Sequence, residues 1–111
     1  MKGEISSMND NLELIADELY KVVIERAANP VPGSYTNYLL NKGVDKILTR
    51  LGEQTLDLII ATKNRSSSDM INQSADLIYH LIVLLAAREI PLDEVNAELR
   101  KRRTLSDPDS N

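Results

Sequence analysis

Apolar positions along the chain recur at helical spacing almost from end to end. Met8, Leu12, Ile15, Leu19 and Val22 alternate steps of four and three, the stripe of an amphipathic helix. Asn29-Pro30-Val31-Pro32-Gly33-Ser34 ends that helix, because proline cannot continue it and biases its predecessor toward extended geometry. A second pattern runs through Leu39-Leu40, Val44, Ile47-Leu48, Leu51 and Leu58, and Gly43 marks a candidate break near its start. Ser66, three residues before Asp69, is placed to cap a third helix. There Ile71, Ala75, Ile78, Ile82 and Leu85 form one stripe, and Leu77, Leu81 and Leu84 a second. Two stripes leave little face for water, so this helix is expected to pack against a second subunit. A fourth helix begins at Pro91, with Asp93 and Glu94 near its positive end and Arg100-Lys101-Arg102-Arg103 near its negative end. No period-two alternation competes. The expectation is an all-α bundle of about four helices, completed by dimerisation. It forms one domain over residues 1–103, followed by a disordered polar tail at 104–111.

Composition narrows the chemistry. A chain of 111 residues without cysteine has neither a disulfide framework nor a thiolate metal site. Its net charge of -4 argues against a general nucleic-acid binder. The polar start at 1–11 does not resemble a secretion signal, and the longest apolar run, Leu77 to Ala87, is shorter than the ~20 residues that span a bilayer. A cytoplasmic protein without membrane or nucleic-acid partners is expected.

Two polar stretches carry the candidate chemistry. Gly52-Glu53-Gln54-Thr55-Leu56-Asp57 and Gln73-Ser74-Ala75-Asp76 each place oxygen-bearing side chains three apart, on one helix face. Lys63 to Asp69 reads as the turn between them. If it centres near Arg65, Gln54 lies level with Asp76 and Asp57 with Gln73. The two levels are then about 4.5 Å apart. Glu53, Gln54, Asp57, Gln73 and Asp76 would thus converge as oxygen ligands for a hard divalent cation. Solvated helix faces are also rich in these residues. Asp76, flanked by Ala75, Leu77 and Ile78, reads as a carboxylate in an apolar setting that needs a partner. His80, the one histidine, reads as a hydrogen-bonded core residue rather than a zinc ligand, and Tyr79 as packing. Ser34, Tyr35 and Thr36 precede Lys42, Lys46 and Arg50, and hydroxyls with ammonium groups suit phosphate oxygens. A capped, solvated helix is the alternative there. No phosphate-cradling glycine loop or serine–histidine–acid set is present.

Taken together, the chain from Leu12 to Arg103 resembles the phosphoribosyl-ATP pyrophosphohydrolase family of histidine biosynthesis, within the MazG-like all-α nucleotide pyrophosphohydrolases. The resemblance rests on Gly33-Ser34-Tyr35-Thr36, Lys42-Gly43-Val44-Asp45-Lys46-Ile47 and Gly52-Glu53-Gln54 with Asp57. It continues through Ala61-Thr62-Lys63-Asn64, Ala75-Asp76-Leu77-Ile78-Tyr79-His80-Leu81 and Leu84-Leu85-Ala86-Ala87-Arg88. It implies a Mg²⁺-dependent homodimer that hydrolyses phosphoribosyl-ATP to phosphoribosyl-AMP and pyrophosphate. It also implies metal ligands at Glu53, Gln54, Asp57, Gln73 and Asp76, and a catalytic role for Glu53 in holding or deprotonating water. Substrate contacts are implied at Ser34, Tyr35, Thr36, Lys42, Lys46 and Lys63. The family pattern is Glu-Glu-x-x-Glu in one helix and Glu-x-x-Asp in the next. Here Gln54 and Gln73 replace glutamates and Asp57 is one carbon shorter. A broader nucleoside triphosphate pyrophosphohydrolase and a catalytically silent helical dimer are the two other readings.

Overall fold

The chain forms five helices in a computed structural model that describes residues 2–105, with side chains described for 12–103. They are α1 (Lys2–Ala28), α2 (Tyr35–Lys42), α3 (Val44–Lys63), α4 (Ser67–Ala87) and α5 (Leu92–Leu105). The second expected helix is two, because Gly43 adopts φ 95°, ψ −179° between α2 and α3. A side chain is strained at that φ, so glycine sets the break. Helix α5 continues through Thr104 and Leu105, two residues into the segment expected to be disordered. The rest of that tail, and the side chain of Met8, lie outside the described residues.

Helices α3 and α4 make an antiparallel hairpin, and their contact is the most extensive in the molecule. The turn is tight. Arg65 takes φ 57°, its amide bonds Thr62 O at 3.1 Å, and the Ser66 amide bonds Ala61 O at 3.2 Å. This closes the exposed carbonyls of α3 with arginine in the left-handed position usually given to glycine. Ser66 then caps α4, its Oγ accepting from the Asp69 amide at 3.3 Å. Glu89, at φ 58°, ends α4 in the same way, with Glu89 N to Ala86 O at 3.0 Å and Ile90 N to Leu85 O at 2.9 Å.

The core draws on four helices. Val23 of α1, Leu39 of α2, Ile47 of α3, and Ile82, Val83 and Ala86 of α4 pack together. Helix α4 is long and apolar enough to cross a bilayer by length and composition alone. That exceeds the apolar run legible in the sequence, because the helix starts ten residues before Leu77. In the fold it is the central element, with His80, Ile82, Val83 and Ala86 buried. Much apolar surface remains uncovered. Leu56, Ile59 and Ile60 on α3, and Ile71, Ile78 and Leu81 on α4, are all exposed.

Polar bonds pin the remaining pieces. Asn37, buried in α2, donates through Nδ2 to Arg26 O at 2.8 Å and accepts from the Val31 amide at 2.8 Å, tying the Pro/Gly loop to both flanking helices. Tyr20 OH donates to Ile90 O at 2.8 Å. Burial, then Glu89, raises the Tyr20 pKa above its usual 10.0. Asn96 Nδ2 donates to Asp17 Oδ1 at 3.3 Å, and Arg100 pairs with Glu13, fastening α5 across α1.

Candidate functional site

The α3–α4 hairpin turns at Arg65, the centre from which the expected levels of Gln54 with Asp76 and Asp57 with Gln73 are counted. The five polar side chains fall into two kinds of surroundings. Gln54 is 6% exposed and Gln73 half-buried, and the Oε1 atom of each is buried without a hydrogen-bond donor. Glu53, Asp57 and Asp76 are exposed. Asp76 is therefore not held in an apolar setting. Its apolar sequence neighbours point elsewhere, since residues one apart on a helix do not share a face. Among the described residues no three of His, Asp or Glu gather as a cation site. Any cation held here would need the amide oxygens as well.

Those two oxygens bear directly on fit. A buried carbonyl oxygen without a donor costs about 1–3 kcal/mol. It is also a hard neutral ligand of the kind Mg²⁺ and Ca²⁺ accept alongside carboxylates. The donor set is all oxygen, with carboxylates at the exposed side, and its chemistry suits a hard divalent cation.

A second polar system begins at the start of α2. Ser34 Oγ accepts from the Asn37 amide at 3.2 Å and caps the helix. Thr36 is buried, and its hydroxyl bonds the Tyr79 hydroxyl. His80, 3% exposed, has Nδ1 2.7 Å from Asp76 O. A carbonyl only accepts, so Nδ1 carries the proton. In the neutral ring Nε2 then accepts from Tyr35 OH at 2.9 Å, and Tyr35 OH in turn accepts from Arg50 Nε at 3.1 Å. Arg50 also donates through a terminal nitrogen to Glu53 Oε1 at 2.7 Å. One hydrogen-bonded chain thus links Glu53, Arg50, Tyr35 and His80 to the backbone of Asp76, with Arg50 donating in both directions. The Tyr35 bond, foremost, and the Glu53 carboxylate raise the Arg50 pKa above its ordinary value. His80 is the hydrogen-bonded core residue that the sequence indicates. The hydroxyls of Ser34, Tyr35 and Thr36 each already have a protein partner.

The cations lie beyond this chain. Lys42 Nζ and Lys46 Nζ sit 5.8 and 6.0 Å from the centroid of the Tyr38 ring. Neither ammonium pairs with a carboxylate among the described residues. Lys63 is exposed in the last turn of α3. Tyr38 and Asn37 were not singled out from the sequence. Tyr38 stands four before Lys42 and was legible in principle, whereas its approach to Lys46 depends on the Gly43 break. Asn37 had no signal, since its partners are main-chain atoms.

Comparison with known proteins gives the chain a family. The family model for phosphoribosyl-ATP pyrophosphohydrolase matches residues 16–103. A phosphoribosyl-ATP pyrophosphatase of Clostridium novyi is 46% identical over 94 residues, covering 85% of this chain and 84% of that protein. One from Clostridium acetobutylicum is 49% identical over 88 residues, 79% of this chain and 80% of that protein. A histidine biosynthesis bifunctional protein of Caldanaerobacter subterraneus is 45% identical over 93 residues, 84% of this chain but 45% of the longer protein. With the match running from within α1 to within α5 and including both polar systems, the chain belongs to the phosphoribosyl-ATP pyrophosphohydrolase family.

Proposed function

We propose that this protein hydrolyses phosphoribosyl-ATP to phosphoribosyl-AMP and pyrophosphate in histidine biosynthesis, as a soluble, cytoplasmic, Mg²⁺-dependent homodimer. The observation that carries the reading is the pair of buried, donor-free oxygens on Gln54 and Gln73, two positions where the family resemblance implies metal ligands. Glu53, Asp57 and Asp76 would complete the holding set. The ion, when bound, would neutralise charge on the triphosphate and on the departing pyrophosphate. The protein's own contribution is positioning. Arg50 fixes Glu53 Oε1 from one side, leaving the rest of the carboxylate to take a proton from the attacking water. Water adds, the bond between the α and β phosphates breaks, and pyrophosphate leaves. Lys42, Lys46 and Lys63 supply cations for a substrate with four phosphate groups. The uncovered apolar stripes of α3 and α4 support pairing with a second copy.

The other reading left to test is a catalytically silent dimer, which keeps the fold without a competent ion site because Gln54 and Gln73 bring no charge. Pyrophosphate release from phosphoribosyl-ATP, with and without Mg²⁺ and beside a panel of ordinary nucleoside triphosphates, separates the readings. Mg²⁺-dependent release confined to phosphoribosyl-ATP is the expected result. Equal release from the whole panel marks a broader hydrolase, and no release from any substrate marks the silent dimer.

A further inference from the structure

Tyr38 belongs to two features at once. It is one wall of an open cleft of ≈ 540 Å³ before α2, and its ring gathers the ammonium groups of Lys42 and Lys46. The cleft is within the size range of small-ligand sites. Pro30, Val31 and Pro32 give it apolar walls, Tyr35 and Tyr38 stack at 6.0 Å with 20° between their rings, and Asn41 offers an amide. No carboxylate lines it. Flat apolar walls with one donor–acceptor amide suit a heterocyclic base, and the two ammonium groups suit a phosphate monoester.

Position along α3 gives the cleft a place in the substrate. Lys46, Arg50, Glu53 and Asp57 follow at steps of four, three and four, a single stripe. The Tyr38 end therefore lies about 10 Å along the helix axis from Glu53. Phosphoribosyl-ATP carries phosphate at both ends, with the adenine between them.

We propose that Tyr38, Asn41, Lys42 and Lys46 bind the phosphoribosyl-adenine end of the substrate and so discriminate phosphoribosyl-ATP from ATP. The inference rests on the proposed function for the identity of the ligand, but not on turnover or on a bound metal. Tyr38 supplies a stacking surface, Asn41 faces the base edge, and the lysines hold the second phosphate.

The test is a binding titration of phosphoribosyl-AMP and of AMP, without Mg²⁺, against the full chain and its variants. The two ligands differ only by the phosphoribosyl group. The parent should prefer phosphoribosyl-AMP by about tenfold or more, the value of one charge-assisted contact to phosphate. In Lys42→Gln/Lys46→Gln, checked for helicity by circular dichroism, the preference should collapse to within about twofold. Tyr38→Ala should weaken phosphoribosyl-AMP about tenfold, as loss of one base–aromatic stack does, while Tyr38→Phe should retain the affinity. Equal affinities in the parent, or a preference that survives loss of both lysines, overturns the assignment. Selective binding by a parent that releases no pyrophosphate would sink the hydrolase reading and leave this one standing. Pyrophosphate release without any preference would do the reverse.

Discussion

A glutamine oxygen buried without a donor is an imbalance that the fold tolerates at two places in one hairpin, Gln54 and Gln73. Replacing both by glutamate adds two charges where only three exposed carboxylates stand. Without metal the double variant Gln54→Glu/Gln73→Glu should be less stable, because Gln54 is 6% exposed and a carboxylate there is desolvated and repelled. With Mg²⁺ the order should reverse by linkage, if the proposed ion site is held by the folded chain alone. Melting of parent and double variant across a magnesium titration reads both effects. A magnesium-dependent shift no larger than the parent's means that these positions are not ligands. Asp76 is the complementary case. It is exposed, and only its main-chain oxygen serves His80, so Asp76→Ala should change stability by no more than about 0.5 kcal/mol. It should nevertheless reduce the magnesium-dependent shift. Tyr35 has the opposite balance. Tyr35→Phe strips partners from buried His80 Nε2 and from Arg50 Nε, a loss of about 1–3 kcal/mol in urea unfolding.

Helix ends hold the elements in order, and two of them carry side chains in the left-handed region. Arg65→Gly relieves about 1–2 kcal/mol of backbone strain. It gives back about 0.4–1 kcal/mol through the freer unfolded chain. A net gain of about 0–1.6 kcal/mol in unfolding free energy is expected, with Glu89→Gly behaving alike. The bond from Tyr20 in α1 to Ile90 O, in the turn between α4 and α5, adds a pH signature. Burial and Glu89 raise the Tyr20 pKa above 10.0, so the folded state favours the protonated phenol. Its stabilisation is fully present below about pH 10 and is lost as pH climbs through the raised folded value. The parent should therefore exceed Tyr20→Phe by about 1 kcal/mol at neutral pH. That margin should shrink only on the alkaline side. A margin constant to the highest pH at which the protein stays folded would remove Tyr20 from this role.

At the scale of the whole molecule, the uncovered surface dominates. Leu56, Ile59 and Ile60 repeat at three and four on α3, and Ile71, Ile78 and Leu81 continue an apolar side of α4, all more than two-fifths exposed. Apolar residues left exposed along two packed helices are what the proposed pairing would cover. Sedimentation should give about 25 kDa, twice the 12.4 kDa chain. Leu56→Glu with Ile60→Glu should shift the protein toward the monomer at micromolar concentration. A folded parent monomer under those conditions would exclude the dimer.

The number and faces of the helices were largely legible in the sequence, because the 3.6-residue period, the prolines at 30 and 32 and the cap at Ser66 are local signals. The place of the α3–α4 turn was legible too, since Lys63 to Asp69 is a polar run and Ser66 is placed as a cap. Long-range bonding was not. Whether Asp76 is buried, which groups Tyr35 and Arg50 meet, and that Asn37 bridges Arg26 and Val31 depend on elements brought together from positions far apart along the chain. Sequence by itself thus determined an all-α chain with its oxygen-bearing residues on two helices joined by a tight turn. Tertiary structure alone decided that Gln54 and Gln73 keep buried oxygens free while Glu53, Asp57 and Asp76 stay at the surface, because burial is set by what packs across a helix face and not by its neighbours along the chain.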